Sequence, residues 1–278
     1  MAVVVMVMAI DIAMATDMAM AIVISKMVQN NFSLTDLHTH ILPSVDDGAR
    51  NVKMSLDMLR LEKKMGVDRV MLTPHFYPLH QKLNSFLKGR ERAYNKLMAF
   101  WDEKTMPQLR LGAEVRYTPD LVQMDLHQLT LGESNYLLLE LPDYGHTPFL
   151  EKVIEHMLSQ GITPILAHVE HCTLFHDMPS QLFELIKMGA LAQVDAMTLA
   201  RKYRSKFAKI SLKYGLAQIV ASDIHNMTNR AVTIGDILDK DYVDILAQTE
   251  KVARAVWDQT PIPSFTVQPI KRTLFGYR

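Results

Sequence analysis

Cysteine occurs once in 278 residues, at Cys172, so an internal disulfide and a thiolate zinc site are both excluded and a reducing cytoplasm is the simplest compartment. Nor can Cys172 be the nucleophile of a cysteine-based phosphatase, because Met178 stands six positions later, where an arginine would have to close the phosphate loop. No glycine is followed by lysine, which removes the Walker phosphate loop. Neither G-x-G-x-x-G nor G-x-S-x-G occurs, so the letters support no dinucleotide site and no serine elbow. An excess of either charge is missing as well: 30 basic residues balance 30 acidic ones, which argues against nucleic acid or any partner found by bulk electrostatics. An anionic substrate would have to be drawn locally.

A positive start is lacking too. The first 25 residues hold six of the 19 methionines, contain no Lys or Arg, and interrupt their apolar run at Asp11 and Asp17. A secretory signal needs a basic beginning and an unbroken apolar stretch. An Asp at the centre of a membrane helix costs roughly 3 kcal/mol, so no transmembrane segment is expected here. Residues 1–26 read as a low-complexity extension, with a peripheral membrane-binding segment as the alternative, and residues 27–278 as one folded domain. Its 49% hydrophobic content suits a single large core.

What is present is histidine and carboxylate at the ends of short apolar runs. DLHTH (residues 36–40), TPH (His75), GAE (Glu114), AHVE (His168) and SDIH (Asp223 and His225) each close on a metal-ligand residue type. Side-chain direction repeats every second residue in an extended chain, so His38 and His40 can face one ion together. Four segments, KKMGVDRVMLTPH, LSQGITPILAHVE, IKMGALAQVDA and LKYGLAQIVASDIH, run from a helix end through a capping glycine into an apolar run. In the first, Met54, Met58, Leu61 and Met65 mark one helical face and residues 69–72 a strand. Residues 112–117 and 136–142 add further strands, and 242–257 a helix covering the barrel. Such runs, apolar without strict alternation, suit parallel strands covered on both faces. The expected fold is an α/β barrel, with seven rather than eight strands possible, and with His75, Glu114, Glu140, His168 and Asp223 at one end of it.

Histidine and carboxylate without sulfur suit manganese, iron or zinc in a reactive site. Adjacent divalent ions activate a bridging water and clamp a phosphoryl group, which points to phosphoester hydrolysis by a metal-bridged hydroxide. An amidohydrolase uses similar parts and is the competing reading.

DLHTHILPSVDDGA, TPHFYP, LGAEVRY, LLLELP, LAHVEH and ASDIHN, in this order, resemble the PHP (polymerase and histidinol phosphatase) superfamily. HILPxxDDG and the LLxELP strand resemble in particular its manganese-dependent protein-tyrosine phosphatases of the CpsB/YwqE type, over roughly residues 34–260. The resemblance implies a distorted (β/α)7 barrel of the PHP type and two or three ions. One would lie on His38, His40, Glu114 and Asp223, a second on Glu114, Glu140 and His168, a third on Asp47, His75 and His225. Three ions on four carboxylates and five neutral histidines would leave a local charge of about +2, favourable for a phosphate dianion. Asp46 and Asp36 would orient neighbouring ligands, and Gly48 would let the loop pass close to the site.

The chain departs from the pattern at LAHVEHC, where the family reads AHPER: Val169 replaces proline and His171 arginine. Histidine lacks the two-pronged cationic grip of guanidinium. Arg230 resembles a second family arginine, and Arg116 is a further candidate. The implied substrate is phosphotyrosine on a bacterial tyrosine autokinase controlling capsular or extracellular polysaccharide synthesis, met at an open site with Phe76, Tyr77 and Tyr144 as aromatic walls. A small-molecule phosphatase such as histidinol phosphatase would want a deeper, more polar pocket. A metal-binding regulator that has lost turnover is the non-enzymatic alternative.

Overall fold

The computed structural model describes residues 33–145, 147–201, 206–238, 242–273 and 276–277; the expectation for residues 1–26 lies outside them. Nine parallel strand segments carry the fold: β1 (Leu34–Thr39), β2 (Val67–Leu72), β3 (His75–Phe76), β4 (Gln108–Leu111), β5 (Glu114–Arg116), β6 (Tyr136–Glu140), β7 (Thr163–Leu166), β8 (Leu191–Asp195) and β9 (Ile219–Ala221). β2 pairs with β1 and β4, while β3, β5, β6, β7, β8 and β9 pair in that order. Gly112 N donates to Leu72 O and Glu114 N to Pro74 O, so β2/β3 and β4/β5 are two interrupted staves laid side by side. That makes seven staves. The circuit returns to β1 through a parallel bridge between Thr39 and Ile224, with Asp223 N bonded to His38 O and His40 N to Ile224 O.

Between the staves run α1 (Val52–Lys64), α2 (Leu83–Met98), α3 (Leu150–Ser159), α4 (Thr173–Asp177), α5 (Pro179–Met188), α6 (Ala196–Ala200) and α7 (Lys206–Lys213). α1 begins where the Asn51 side chain accepts from Met54 N and ends on Lys63 and Lys64, which suit the negative end of its dipole. Met58 and Met65 of the anticipated face are buried; Met54 and Leu61 are partly so. After α5 the chain turns at Gly189 with φ 118°, a conformation that side chains other than glycine resist. The other anticipated glycine turns fall between the same helix–strand pairs.

α8 (Val243–Asp258) is the anticipated covering helix, and its place decides which end of the barrel is open. Val252, Ala253, Val256 and Trp257 pack with Leu37, Met71, Leu138, Ile165, Leu191 and Ile219, residues contributed by six of the staves. Glu250 accepts from Thr35 N at 2.7 Å, at the start of β1. The helix therefore closes the end where the strands begin, leaving the opposite end for the site. No helix among the described residues is long and apolar enough to cross a membrane.

Candidate metal centre

Strand ends deliver the ligand candidates. Glu140 ends β6, His75 and Glu114 open β3 and β5 past the breaks in their staves, and His38 lies in β1. His40, Asp223 and His225 stand just beyond β1 and β9. A register shift in β1 between Asp36 and Thr39 lets Leu37 join the core while His38 and His40 both reach the site. His168 and Asp223 take positive φ, 28° and 52°, although neither is glycine. Such strain costs about 1–3 kcal/mol per residue and collects at sites that need a fixed side-chain direction.

Four donors face one point. His38 Nε2 lies 3.1 Å from His40 Nε2, 3.2 Å from Glu114 Oε2 and 3.3 Å from Asp223 Oδ1. His40 Nε2 lies 3.2 Å from each of the same two oxygens. A tetrahedral ion with bonds of roughly 2.0–2.1 Å separates its ligands by about 3.3 Å, so five edges of the set already match. His75 Nδ1 stands 2.8 Å from Glu114 Oε2 and 3.8 Å from Glu140 Oε2, while His168 Nε2 stands 2.9 Å from Glu114 Oε1. Asp47 Oδ1 lies 3.5 Å from His75 Nε2 and 3.4 Å from His225 Nε2. All nine anticipated ligands thus converge, with one difference: His75 reaches both ways, toward Glu140 as well as Asp47. Glu114 Oε2, Glu140 Oε2, His75 Nδ1 and His225 Nε2 are buried without a hydrogen bond, which is what donors awaiting a cation show.

The far sides of three of the rings are held. His40 Nδ1 donates to Asp46 Oδ2 at 2.7 Å and His225 Nδ1 to the Asp223 carbonyl at 2.9 Å, directing both Nε2 lone pairs inward. His38 Nδ1 faces Gln193 Oε1 at 3.3 Å. Asp46 thus has the expected orienting role, whereas Asp36 does not orient a ring: its Oδ1 accepts from the backbone of His38 and Ser222, tying β1 to the end of β9. Gly48 is dictated by close approach, since a Cβ there would lie 2.0 Å from His40 O.

Electrostatics follow from the packing. Burial opposes charge on His38, His40 and His168, but the carboxylates around them outweigh it and all three pKa values rise. Burial likewise opposes charge on Glu114, yet His38 and His168 hold it well below the usual carboxylate range. Burial and the neighbouring Glu114 push Glu140 up. Burial, with His40 beside it, lowers His225 to about 4, leaving a neutral imidazole suited to ligation.

The centre opens into a cleft of about 500 Å³ lined by His75, Tyr77, Asp143, His171, Thr198 and Arg230 among others. Arg230 donates to Asp223 Oδ2 and lies 3.9 Å from Asp47 Oδ2. Arg116 donates to Glu140 Oε1 at 2.6 Å and is outside the cleft lining. His171 Nε2 meets Asp195 Oδ2 at 3.0 Å, and that hydrogen bond, against the opposing effect of burial, raises its pKa. The anticipated aromatic walls need correction. Tyr77 stacks on His75 and Tyr144 is exposed, but Phe76 is fully buried against Phe86, and the cleft walls are mostly polar.

Residues 34–256 match the family described as capsular polysaccharide synthesis, CpsB/CapC. The chain belongs to the CpsB/CapC family. Its relatives include tyrosine-protein phosphatase YwqE of Bacillus subtilis, 30% identical over 88% of this chain and 100% of that protein. Tyrosine-protein phosphatase CpsB of Streptococcus pneumoniae is 30% identical over 71% of this chain and 85% of its own length. A solved structure from work on YwqE and CpsB, described as metal-dependent tyrosine phosphatases, superposes with a TM-score of 0.77 over 86% of this chain and 100% of that one. At 24% identity that likeness speaks for the fold. Within the CpsB/CapC fold, sequence reading missed Gln193, which accepts from His168 N at 2.8 Å and donates to Asp195 Oδ1 at 2.8 Å. The signal was available: Gln193 and Asp195 are polar residues in an otherwise apolar strand, LAQVD.

Proposed function

We propose that this chain is a metal-dependent tyrosine-protein phosphatase that takes manganese and works in the cytoplasm on a phosphotyrosine protein, a bacterial tyrosine autokinase of capsular polysaccharide synthesis. The observation that carries the metal chemistry is the pair His38 and His40, whose Nε2 atoms lie 3.1 Å apart and each 3.2–3.3 Å from Glu114 Oε2 and Asp223 Oδ1, beneath an open cleft. His38, His40, Glu114 and Asp223 would hold one ion, Glu114, Glu140 and His168 a second, Asp47, His75 and His225 a third. When bound, such ions activate water for attack on phosphorus and neutralise the phosphoryl oxygens. The protein groups around them prepare that chemistry. Asp46 and the Asp223 carbonyl fix the histidine tautomers, and Arg116 turns one oxygen of Glu140 away so that the other faces the ions. Arg230 stands at the rim with donors for a phosphoryl oxygen, and Tyr77 offers an aromatic face beside His75.

The deciding experiment refills metal-stripped protein with manganese and compares release of phosphate from a phosphotyrosine peptide and from histidinol phosphate, with His40→Ala in parallel. Manganese-dependent release from the peptide, lost in the variant, is expected. Preference for histidinol phosphate would move the assignment to the small-molecule phosphatases, a reading that the polar cleft walls favour. Arg230→Ala is predicted to lower turnover of the peptide about tenfold or more, equivalent to ~1.4 kcal/mol of transition-state stabilisation. Unchanged kinetics would remove Arg230 from the phosphate site.

A further inference from the structure

Beside the nine converging ligands stands a second group of donors. Glu170 and His171 follow β7 and Asp195 ends β8, and their donor atoms lie within 4.8 Å of one another. His171 Nε2 is 3.0 Å from Asp195 Oδ2 and 3.7 Å from Glu170 Oε1, which brackets the ligand spacing of about 3.3 Å around a tetrahedral ion. The two carboxylates are set by the backbone and by Gln193: Asp195 N donates to Glu170 Oε1 at 2.8 Å, and Gln193 Nε2 donates to Asp195 Oδ1 at 2.8 Å. Glu170 Oε2 is left over. It is buried without a partner, on a side chain only 2% exposed. A buried carboxyl oxygen in that position is costly to leave without a partner, and a cation would supply one. His171, by contrast, is 46% exposed and gives the group an opening to the cleft.

We propose that Glu170, His171 and Asp195 hold an additional divalent ion of the zinc type, separate from the centre built on Glu114. Three protein donors, one imidazole and two carboxylates, leave a coordination position open, as reactive zinc sites do. Thr198, whose Oγ1 lies 3.4 Å from His171 Nε2, and Arg201 form the adjoining cleft wall. The geometry also explains why His171 is a poor direct replacement for arginine: its Nε2 is turned to Asp195 rather than presented to the cleft. An ion held there restores positive charge at the place where AHPER sequences carry guanidinium. This last role rests on the phosphatase reading; the binding of the ion does not.

The test counts ions. Full-length protein is stripped with chelator, refilled with excess zinc, desalted and analysed by plasma mass spectrometry, alongside His171→Ala, His171→Arg, His171→Cys and Asp223→Asn. Wild type is expected to retain one ion more per chain than His171→Ala and His171→Arg, with His171→Cys keeping the wild-type count because a thiolate can replace the imidazole. Equal counts in wild type, His171→Ala and His171→Arg overturn the proposal. If Asp223→Asn loses ions while the His171 variants do not, this site fails and the main centre stands. If only the His171 variants lose an ion, this site stands and the main centre fails. His171 is half-exposed, so its substitution is expected to leave the fold intact, and matching melting curves of apo proteins check it.

Discussion

Glu114→Gln is predicted to lower manganese-dependent turnover of a phosphotyrosine peptide by about 1,000-fold or more, a loss of ~4 kcal/mol or more of transition-state stabilisation. Among the described residues, no other side chain joins so many of the ligands. Its Oε2 lies 3.2 Å from His38 Nε2, 3.2 Å from His40 Nε2 and 2.8 Å from His75 Nδ1, while Oε1 lies 2.9 Å from His168 Nε2. Glutamine keeps the shape but replaces one of these oxygens with an amide that cannot ligate, and it removes a full negative charge from a buried site. Of the two proposed ions that share Glu114, one loses its donor and the other keeps only a neutral amide oxygen. The variant should therefore retain fewer manganese ions after desalting as well as turning over slowly. Glu140→Gln, which touches the centre from one edge and shares its carboxylate with Arg116, should cost less. A Glu114→Gln protein with wild-type metal content and turnover within tenfold of wild type would contradict the assignment of Glu114 as the shared ligand.

Much of this centre was readable because its ligands sit where periodicity and punctuation are strongest. An apolar run with a glycine before it and a histidine or acid after it marks a parallel strand and its open end together, as GITPILAH does for β7 and His168. The spacing of His38 and His40 carried their convergence. Phe76 shows where the same rule was left unused. If His75 faces the site, its neighbour on a strand faces the other way, and Phe76 does lie against Phe86 of α2. Other features needed the fold. The two-way reach of His75 depends on Asp47, from a loop, and Glu140, from the end of β6, arriving at different nitrogens of one ring. The strained backbone at His168 and Asp223 was not legible either: Asp and His enter positive φ more often than most side chains, but only a small share of them do, so the letters do not say which. Gln193 stands out as a polar residue in an apolar strand, but its partners, His38, His168 and Asp195, come into view only with the fold.

Glu62→Gln is predicted to stabilise the protein, and increasingly so as pH rises. Glu62 lies on α1, fully buried, with neither carboxylate oxygen hydrogen-bonded. Asp36 is also fully buried and has one oxygen without a partner. Burial first, and the charges of Asp36 and Asp236 second, push the Glu62 pKa well above its ordinary 4.5. Burial raises Asp36 to about 6 as well, against the hydrogen bonds from Ser222 and His38. A carboxyl whose folded pKa is raised binds its proton more tightly in the folded chain than in the unfolded one. Its contribution is fully present below about pH 4.5 and is lost as pH climbs from there through the folded value. Each pH unit in that window removes up to ~1.4 kcal/mol, on the order of 2–4 °C in melting temperature for a domain of this size. Glutamine carries no titrating proton and escapes that loss. Thermal melts of wild type and Glu62→Gln at pH 5 and pH 8, with the same metal load, isolate the effect, because titration elsewhere cancels in the difference between the two proteins. The gain in melting temperature should be several degrees larger at pH 8 than at pH 5. A gain that is the same at both values, or a variant less stable than wild type at pH 8, would mean that Glu62 has a cationic or hydrogen-bonding partner in the folded protein after all.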